Sequence, residues 1–335
     1  MENFTKNFRL KQYNTFHLDV TCDFYFEFGS TDQLVGAIRT CQKGQLPWMI
    51  LGTGANVLFA TDFRGVILRS VMDQVTIHEG LVVVESGAQW DWFVQWAVEN
   101  NMGGIENLSY IPSSVGAAPI QNIGAYGAQV SDTIAWVEYL DTQQMNIVRI
   151  EGTECKFGYR ESVFKHELKG KAIITRVAFA LEENPQSFNI EYGDLAELVA
   201  QKGGASLHNI REAVTQIRKS KLPEPDELGN AGSFFKNPVI SPEQFEVLKE
   251  KFADLRFYPQ EDGRYKVPAG WLIERSGWKG RRLGEVGVHQ NQALVLVNYG
   301  NGTSTELINL AQEVISSVKE LSGIELEMEV NLIES

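Results

Sequence analysis

The sequence predicts an α+β protein, on three observations. Runs that alternate apolar and polar residues read as short strands. Capped runs with apolar residues three and four apart read as helices. Between them lie stretches rich in glycine, alanine and serine and poor in charge, too long for turns and too weakly polar for solvated linkers.

Taken in order, residues 22–28 alternate, with Phe24, Phe26 and Phe28 on one face of a strand. Ser30, Thr31 and Asp32 then offer caps for a helix carrying Leu34, Ile38 and Cys41. Residues 47–51 read as a buried strand, and residues 66–69, 75–78 and 81–85 as short strands, the last two joined at Glu79 and Gly80. Residues 91–100 suit a helix that packs Phe93, Trp96 and Ala97 inward. A hairpin is expected over 137–140 and 146–150, and another strand over 172–181. Asn209 and Glu212 form a possible capping box for a helix with Ile210, Ala213, Val214 and Ile217 on one face. Pro223 and Pro225 mark the expected domain boundary. Beyond it, Ser241, Pro242 and Gln244 open a helix to about Phe252, and residues 293–297 read as a buried strand. Thr303 and Glu306 cap a helix closed by Gly323. A final strand alternates Ile324, Leu326, Met328, Val330 and Leu332 against Glu325, Glu327, Glu329 and Asn331.

Composition narrows the function classes. The 335 residues suffice for two or three domains, and 43% hydrophobic with 22% charged residues is ordinary for a globular chain. A formal charge of −13 argues against a broad nucleic-acid or anionic-membrane surface, but not against an anionic ligand held by a few cations. Cys22, Cys41 and Cys155 are odd in number and scattered, so neither a zinc site nor a disulfide framework is expected. The first ten residues lack the apolar stretch of a signal peptide, and no apolar run approaches the length of a membrane span. The expected location is the cytoplasm.

Three stretches carry candidate chemistry, each with a plain structural alternative. The turn Gly52, Thr53, Gly54, Ala55 and Asn56 follows a strand and can present backbone N–H groups to a phosphate. A Rossmann fingerprint fails there, because its third glycine falls on Val57 and no long helix follows; a simple strand-to-strand turn also accounts for it. Residues 103–127 are long and almost uncharged, as backbone wrapped round a large ligand would be. Residues 229–238 bracket Ala231 with glycines, then give Ser233, two phenylalanines, Lys236, Asn237 and Pro238. That pattern fits either a polar group held beside a substrate or a buried turn anchored by its rings. Arg218, Lys219 and Lys221 end a helix, where cations complement the dipole without any ligand.

Together these pieces resemble the UDP-N-acetylenolpyruvoylglucosamine reductase family, from about Tyr13 to Val330. The most specific matches are residues 121–127, 157–160, 229–238 and 326–330, in the family's order. Tyr192, within residues 191–195, resembles the form of the family with an additional tyrosine-bearing segment over the substrate. The resemblance implies an FAD-binding fold of the vanillyl-alcohol-oxidase (PCMH) type. It would comprise two FAD-binding subdomains, here 1–70 and 71–222, and an α+β substrate-binding domain, 223–335. It also implies FAD, NADPH as hydride donor and a nucleotide-sugar substrate; noncovalent attachment, no metal and a monomer are the further expectations. By the same comparison Gly52, Thr53, Gly54, Ala55 and Asn56 cradle the pyrophosphate. Pro112, Ser113, Ser114, Val115, Gly116, Asn122, Gly124, Ala125, Tyr126 and Gly127 line the flavin, with Arg218 toward it. Arg160, Ser233 and Glu329 match catalytic positions, and Tyr192, Lys221, Asn237 and Gln292 match positions that hold the uridine diphosphate. Three positions depart from the family: Ala55 stands where serine is common, Ser113 where glycine is common, and Asn331 where many relatives have an arginine.

The implied reaction adds hydride and a proton across an enolpyruvyl double bond. Arg160 would hold the substrate carboxylate, Ser233 would protonate C2, and Glu329 would polarise the enolate-like species. The histidines, His17, His78, His166, His208 and His289, and the cysteines lie outside the glycine-rich loops, which favours noncovalent FAD. Two rivals differ in class: an oxidase of the same fold, and a nucleotide-sugar sensor without turnover.

Overall fold

The computed structural model describes residues 3–334. Met1, Glu2 and Ser335, the outer ends of the expected first and last domains, lie outside the described residues. The chain divides into two compact units. One comprises the chain up to Phe8, Cys22–Thr53 and Arg64–Lys219; the other comprises Arg9–Thr21, Gly54–Phe63 and the chain from Ser220.

In the first unit, a four-stranded sheet runs in the order Thr5–Arg9, Thr21–Phe28, Phe63–Ser70, Trp48–Ile50. Alternation puts Phe24, Phe26 and Phe28 against a core that includes Leu34, Ile38 and Cys41 of the helix Thr31–Gly44. Ser30 caps that helix by accepting from Gln33 N. The other sheet face carries Tyr25, its ring stacked on Phe8 at 3.9 Å between centroids. A five-stranded sheet follows, in the order Asn146–Glu151, Ile134–Asp141, Ala172–Phe179, Leu81–Glu85, Val75–His78. The expected hairpin is its first pair, with Val137 opposite Ile150 and Leu140 opposite Ile147. Helix Trp90–Glu99 packs Trp90, Phe93 and Ala97 into the same core as Val137, Val177 and Phe179. Burying these large side chains drives the unit's assembly.

Two of the differences from the sequence reading have a local cause. The helix expected to start at Asn209 runs Leu207–Lys221, and its cap is Ser206, whose Oγ accepts from Asn209 N at 3.2 Å. Gly203 and Gly204, at φ 100° and 107°, turn the chain back. Asn209 Nδ2 therefore donates to the carbonyls of Lys202 and Gly204 instead of capping. The expected box partner Glu212 pairs with Lys202 at 3.1 Å. At the C-terminus only Asn331–Ile333 is strand, paired parallel with Val57–Phe59. The alternation still sorts the side chains: Ile324, Leu326 and Val330 are buried while Glu325 and Glu327 are exposed.

In the second unit, a four-stranded sheet has the order Gly229–Asn230, Leu296–Asn298, Val286–Val288, Arg282–Leu283. The strand expected over 293–297 thus lies three residues later at its start. Val239–Ile240, Tyr265–Lys266 and Tyr258–Pro259 form a three-stranded sheet. Both expected capping boxes close, Ser241 with Gln244 on helix Pro242–Lys251 and Thr303 with Glu306 on helix Ser304–Ser322. Gly323 ends the latter helix in the left-handed conformation at φ 74°.

Candidate active site

The Gly52–Asn56 loop has the property a phosphate cradle needs. Among the described residues, no hydrogen bond uses the backbone N–H of Gly52, Thr53, Gly54 or Ala55. Four successive donors left without an internal acceptor fit a pyrophosphate. Gly54 has a second reason to be glycine. It sits at φ 73°, and a Cβ there would come 2.1 Å from the carbonyl oxygen of Tyr13. Asn331, one of the three positions expected to depart from the family, directs both its N–H and its Nδ2 to the carbonyl of Asn56, at 3.1 and 3.0 Å.

Within the first unit, the start of this loop meets the uncharged stretch. Thr53 Oγ1 donates to Pro112 O at 3.0 Å, and a Cβ on Gly52 would lie 2.9 Å from Ser114 Oγ. Ser113 donates its hydroxyl to Ser114 O at 3.3 Å, and its carbonyl takes the Trp90 N–H. Val115 is fully buried, and a Cβ on Gly116 would lie 2.6 Å from Ser86 Cβ. The residues expected to line a flavin thus form a packed wall, with Pro112 exposed at its edge.

Further along, Gly124 and Ala125 pair with Gln129 and Ala128 in a small ribbon. Asn122 is buried and donates to Gly158 O at 3.0 Å, tying that ribbon to the turn that carries Arg160. Arg160 Nη2 donates to Gly124 O at 2.9 Å, and a Cβ on Gly124 would lie only 3.2 Å from Arg160 Nη1. Tyr126, Gly127 and Tyr192 are also close: the two tyrosine rings meet edge to face at 5.9 Å, and Asn189 Nδ2 donates to Gly127 O. Burial pushes the Tyr126 phenol above its ordinary pKa, which keeps it neutral. Arg218 beside it donates Nε to Tyr110 O at 2.8 Å, and burial lowers its guanidinium pKa.

Within the second unit, residues 234–236 run antiparallel to 327–329. Lys236 N donates to Glu327 O, Glu329 N donates to Phe234 O at 2.8 Å, and Phe235 bridges Met328. This pairing puts Ser233 and Glu329 at the same end of one short ladder. Phe234 and Phe235 are buried and Phe234 meets Phe16 edge to face, so the rings do anchor the turn. Ser233 stays half-buried beside Gly232 at φ 66°, where a Cβ would meet nothing within 4 Å. Glu329 is half-buried, unlike Glu325 and Glu327 in the same row.

The carboxamides of Asn237 and Gln292 have a set polarity. Asn237 Oδ1 accepts from Ala269 N at 2.9 Å, and Gln292 Oε1 from Leu294 N at 3.4 Å. Their NH2 groups are used by no hydrogen bond among the described residues, leaving donors for an acceptor-rich ligand. Lys221 is exposed at the last position of its helix.

Comparison with known proteins decides the family. A family model described as UDP-N-acetylenolpyruvoylglucosamine reductase, C-terminal domain, matches residues 224–333, and one described as FAD binding domain matches residues 22–150. The reductase of that name from Flavobacterium johnsoniae is 42% identical over 334 residues, covering 98% of each chain. The chain belongs to the UDP-N-acetylenolpyruvoylglucosamine reductase family. The Paraburkholderia xenovorans reductase is 43% identical, covering 97% of this chain and 96% of its own. The structure of the Thermus caldophilus reductase matches with a TM-score of 0.69 at 22% identity, over 99% of this chain and 100% of that one. This likeness shows the shared fold. The named relatives and the matched FAD-binding domain make the chain an FAD-dependent oxidoreductase, of α+β, PCMH-type architecture.

Two residues that build the candidate site escaped the sequence reading. Asn230, buried in the second unit, accepts from Gly232 N at 2.9 Å and donates to Pro223 O and Leu228 O, shaping the turn before Ser233. Its signal was present as an asparagine two residues before a glycine, an Asx-turn pattern. Asn107 donates to Tyr126 O and Asn189 O, both at 2.8 Å, and nothing local in the sequence marks it. Among the described residues, no cluster of three or more His, Cys, Asp or Glu could hold a metal, and no helix is long and apolar enough to cross a membrane.

Proposed function

We propose that this chain reduces the enolpyruvyl group of UDP-N-acetyl-3-O-(1-carboxyvinyl)-glucosamine to UDP-N-acetylmuramate, a step of peptidoglycan synthesis, with NADPH as hydride donor. The observation that carries this is identity above 40% over nearly the whole length of the named reductases. The proposed setting is a cytoplasmic monomer with noncovalent FAD and no nucleic-acid or membrane partner. Residues 1–70 and 71–222 serve the cofactor and residues 223–335 the nucleotide-sugar.

Bound FAD supplies a carrier that takes up hydride and returns it. Gly52 to Asn56 hold its pyrophosphate by backbone N–H groups. Residues 112–116 and 122–127 exclude water round its ring, with Arg218 alongside. On the substrate, hydride added at C3 leaves negative charge on C2 and the adjoining carboxylate. Arg160 offers a fixed guanidinium to that carboxylate, and stabilising charge that grows in the transition state is where such a donor has most effect. Ser233 gives its proton to C2. A hydroxyl is a poor acid in water, but an enolate carbon is basic enough to take its proton, so positioning does the rest. Glu329 polarises the same group while sharing a proton. Lys221 and the NH2 groups of Asn237 and Gln292 bind the diphosphate end, and Tyr192 covers it.

The test is NADPH oxidation with and without the enolpyruvyl sugar. Consumption that matches added sugar mole for mole is expected. Sustained oxidation in air without sugar would indicate the oxidase, and no oxidation with it the sensor.

A further inference from the structure

We propose that Lys165 is a positioning residue for Arg160: its ammonium holds the backbone of that arginine in the left-handed turn from which the guanidinium is presented. The inference rests on the role given to Arg160 under the proposed function.

Gly158 and Glu161 exchange both backbone hydrogen bonds, at 3.0 and 3.2 Å, leaving Tyr159 and Arg160 as the two residues of a tight turn. Arg160 has φ 58°, a conformation that glycine and asparagine take readily and arginine does not. A strained residue persists only where its surroundings over-determine it. Several contacts do so here, three of them holding the turn directly. Asn122 Nδ2 holds Gly158 O before the turn, and the guanidinium is tied to Gly124 O at 2.9 Å. The third is Lys165 Nζ, which donates to the carbonyl of Arg160 itself at 2.9 Å.

That contact is carried on a fixed element. Lys165 ends the short helical turn Val163–Lys165, whose cap Ser162 accepts from Phe164 N and donates to Ile120 O at 2.5 Å. Its ammonium also lies 3.7 Å from one Glu161 oxygen, while the other Glu161 oxygen contacts His166 Nε2 at 2.6 Å. A charge-assisted bond to the Arg160 carbonyl opposes the peptide rotation that would relax φ. Without it, the turn can relax and carry the guanidinium away from Gly124 O.

The experiment is Lys165→Met in the FAD-loaded enzyme. Flavin reoxidation by the enolpyruvyl sugar should fall about 10- to 100-fold, the cost of a misplaced catalytic group, while flavin reduction by NADPH stays within about twofold. Affinity for UDP-N-acetylmuramate, which carries the carboxylate, should weaken about tenfold, and affinity for UDP-N-acetylglucosamine, which lacks it, should not change. Lys165→Arg should restore most of the rate. In an Arg160→Met background, Lys165→Met should have no further effect. If Lys165→Met does not fold, Lys165→Gln, which keeps a neutral donor, takes its place in the same cycle. Reoxidation at the parental rate, or an equal loss with and without Arg160, would overturn the inference. A parent enzyme that NADPH reduces but the sugar cannot reoxidise would instead overturn the proposed function.

Discussion

The turn at Gly158–Glu161 and the bend at Gly229–Ser233 each pass through a left-handed residue, but they load it differently. In the first, Arg160 takes that conformation itself, at φ 58°. In the second, Gly232 takes it at φ 66°, and Ser233 follows in an ordinary conformation. The first turn therefore needs external clamps, from Asn122, Gly124 and Lys165. The second is shaped from within, by Asn230 accepting from Gly232 N, and is seated by two buried phenylalanine rings. A long guanidinium can be aimed only by fixing several torsions, whereas a short hydroxyl goes where its backbone goes.

Substitutions at the two turns should separate these designs. Arg160→Asn puts a residue tolerant of φ > 0 at the strained position, so stability should rise by up to ~1 kcal/mol. Flavin reoxidation by the enolpyruvyl sugar should fall ~10²–10³-fold, as for a lost transition-state donor. Rapid kinetics beside a denaturant titration would expose a parallel change in both, which would mean that the arginine is structural. Gly229→Ala sets a Cβ 2.7 Å from Phe16 O, backbone that cannot move aside cheaply. It should cost about 2–3 kcal/mol of stability, within the range of single substitutions that force a backbone shift. Lys221→Ala lies in neither turn, and should raise the Michaelis constant for the nucleotide-sugar about 10- to 100-fold, the value of a charged hydrogen bond, with little change in turnover. An unchanged constant would return Lys221 to a helix-end charge. Gly232→Ala, where the new methyl meets open space, should cost only the left-handed penalty of about 1–2 kcal/mol, measured by thermal or chemical melting. A loss as large as that at Gly229 would show that the space beside Gly232 is filled.

What the sequence disclosed follows the reach of each signal. Caps at Ser30, Ser241 and Thr303 are local, three residues from their partners, and all three were legible. The uncharged stretch and the motif bearing Ser233 stand out as segments, and their roles rest on the proposed function. The cap assigned to Asn209 failed because two left-handed glycines upstream offered its amide better acceptors than the helix end did. The expected continuous last strand is instead broken, because alternation marks which side chains are buried, not which backbone groups pair: residues 327–329 pair with 234–236, and Asn331–Ile333 form a strand against Val57–Phe59. Asn107 lay beyond local reading, since its partners sit 19 and 82 residues away. Lys165 was hidden for another reason: a lysine five residues from an arginine carries no sign that it binds that arginine's carbonyl. The glycine at 54 was read for ligand approach, and the carbonyl of Tyr13 supplies an independent demand for it.

In the proposed reaction Ser233 protonates C2, and the two half-reactions test that role in one protein. Reducing the flavin with NADPH needs no proton on the substrate carbon, so Ser233→Ala should be reduced at close to the parental rate. Reoxidation by the enolpyruvyl sugar needs that proton, and should slow by ~10²–10⁴-fold, the range of a lost general acid. Ser233→Cys, which keeps a donor in place, should recover part of the rate. Stopped-flow flavin absorbance reads both steps. An alanine variant that reoxidises as fast as its parent would contradict the account and leave residues 229–238 as a structural turn.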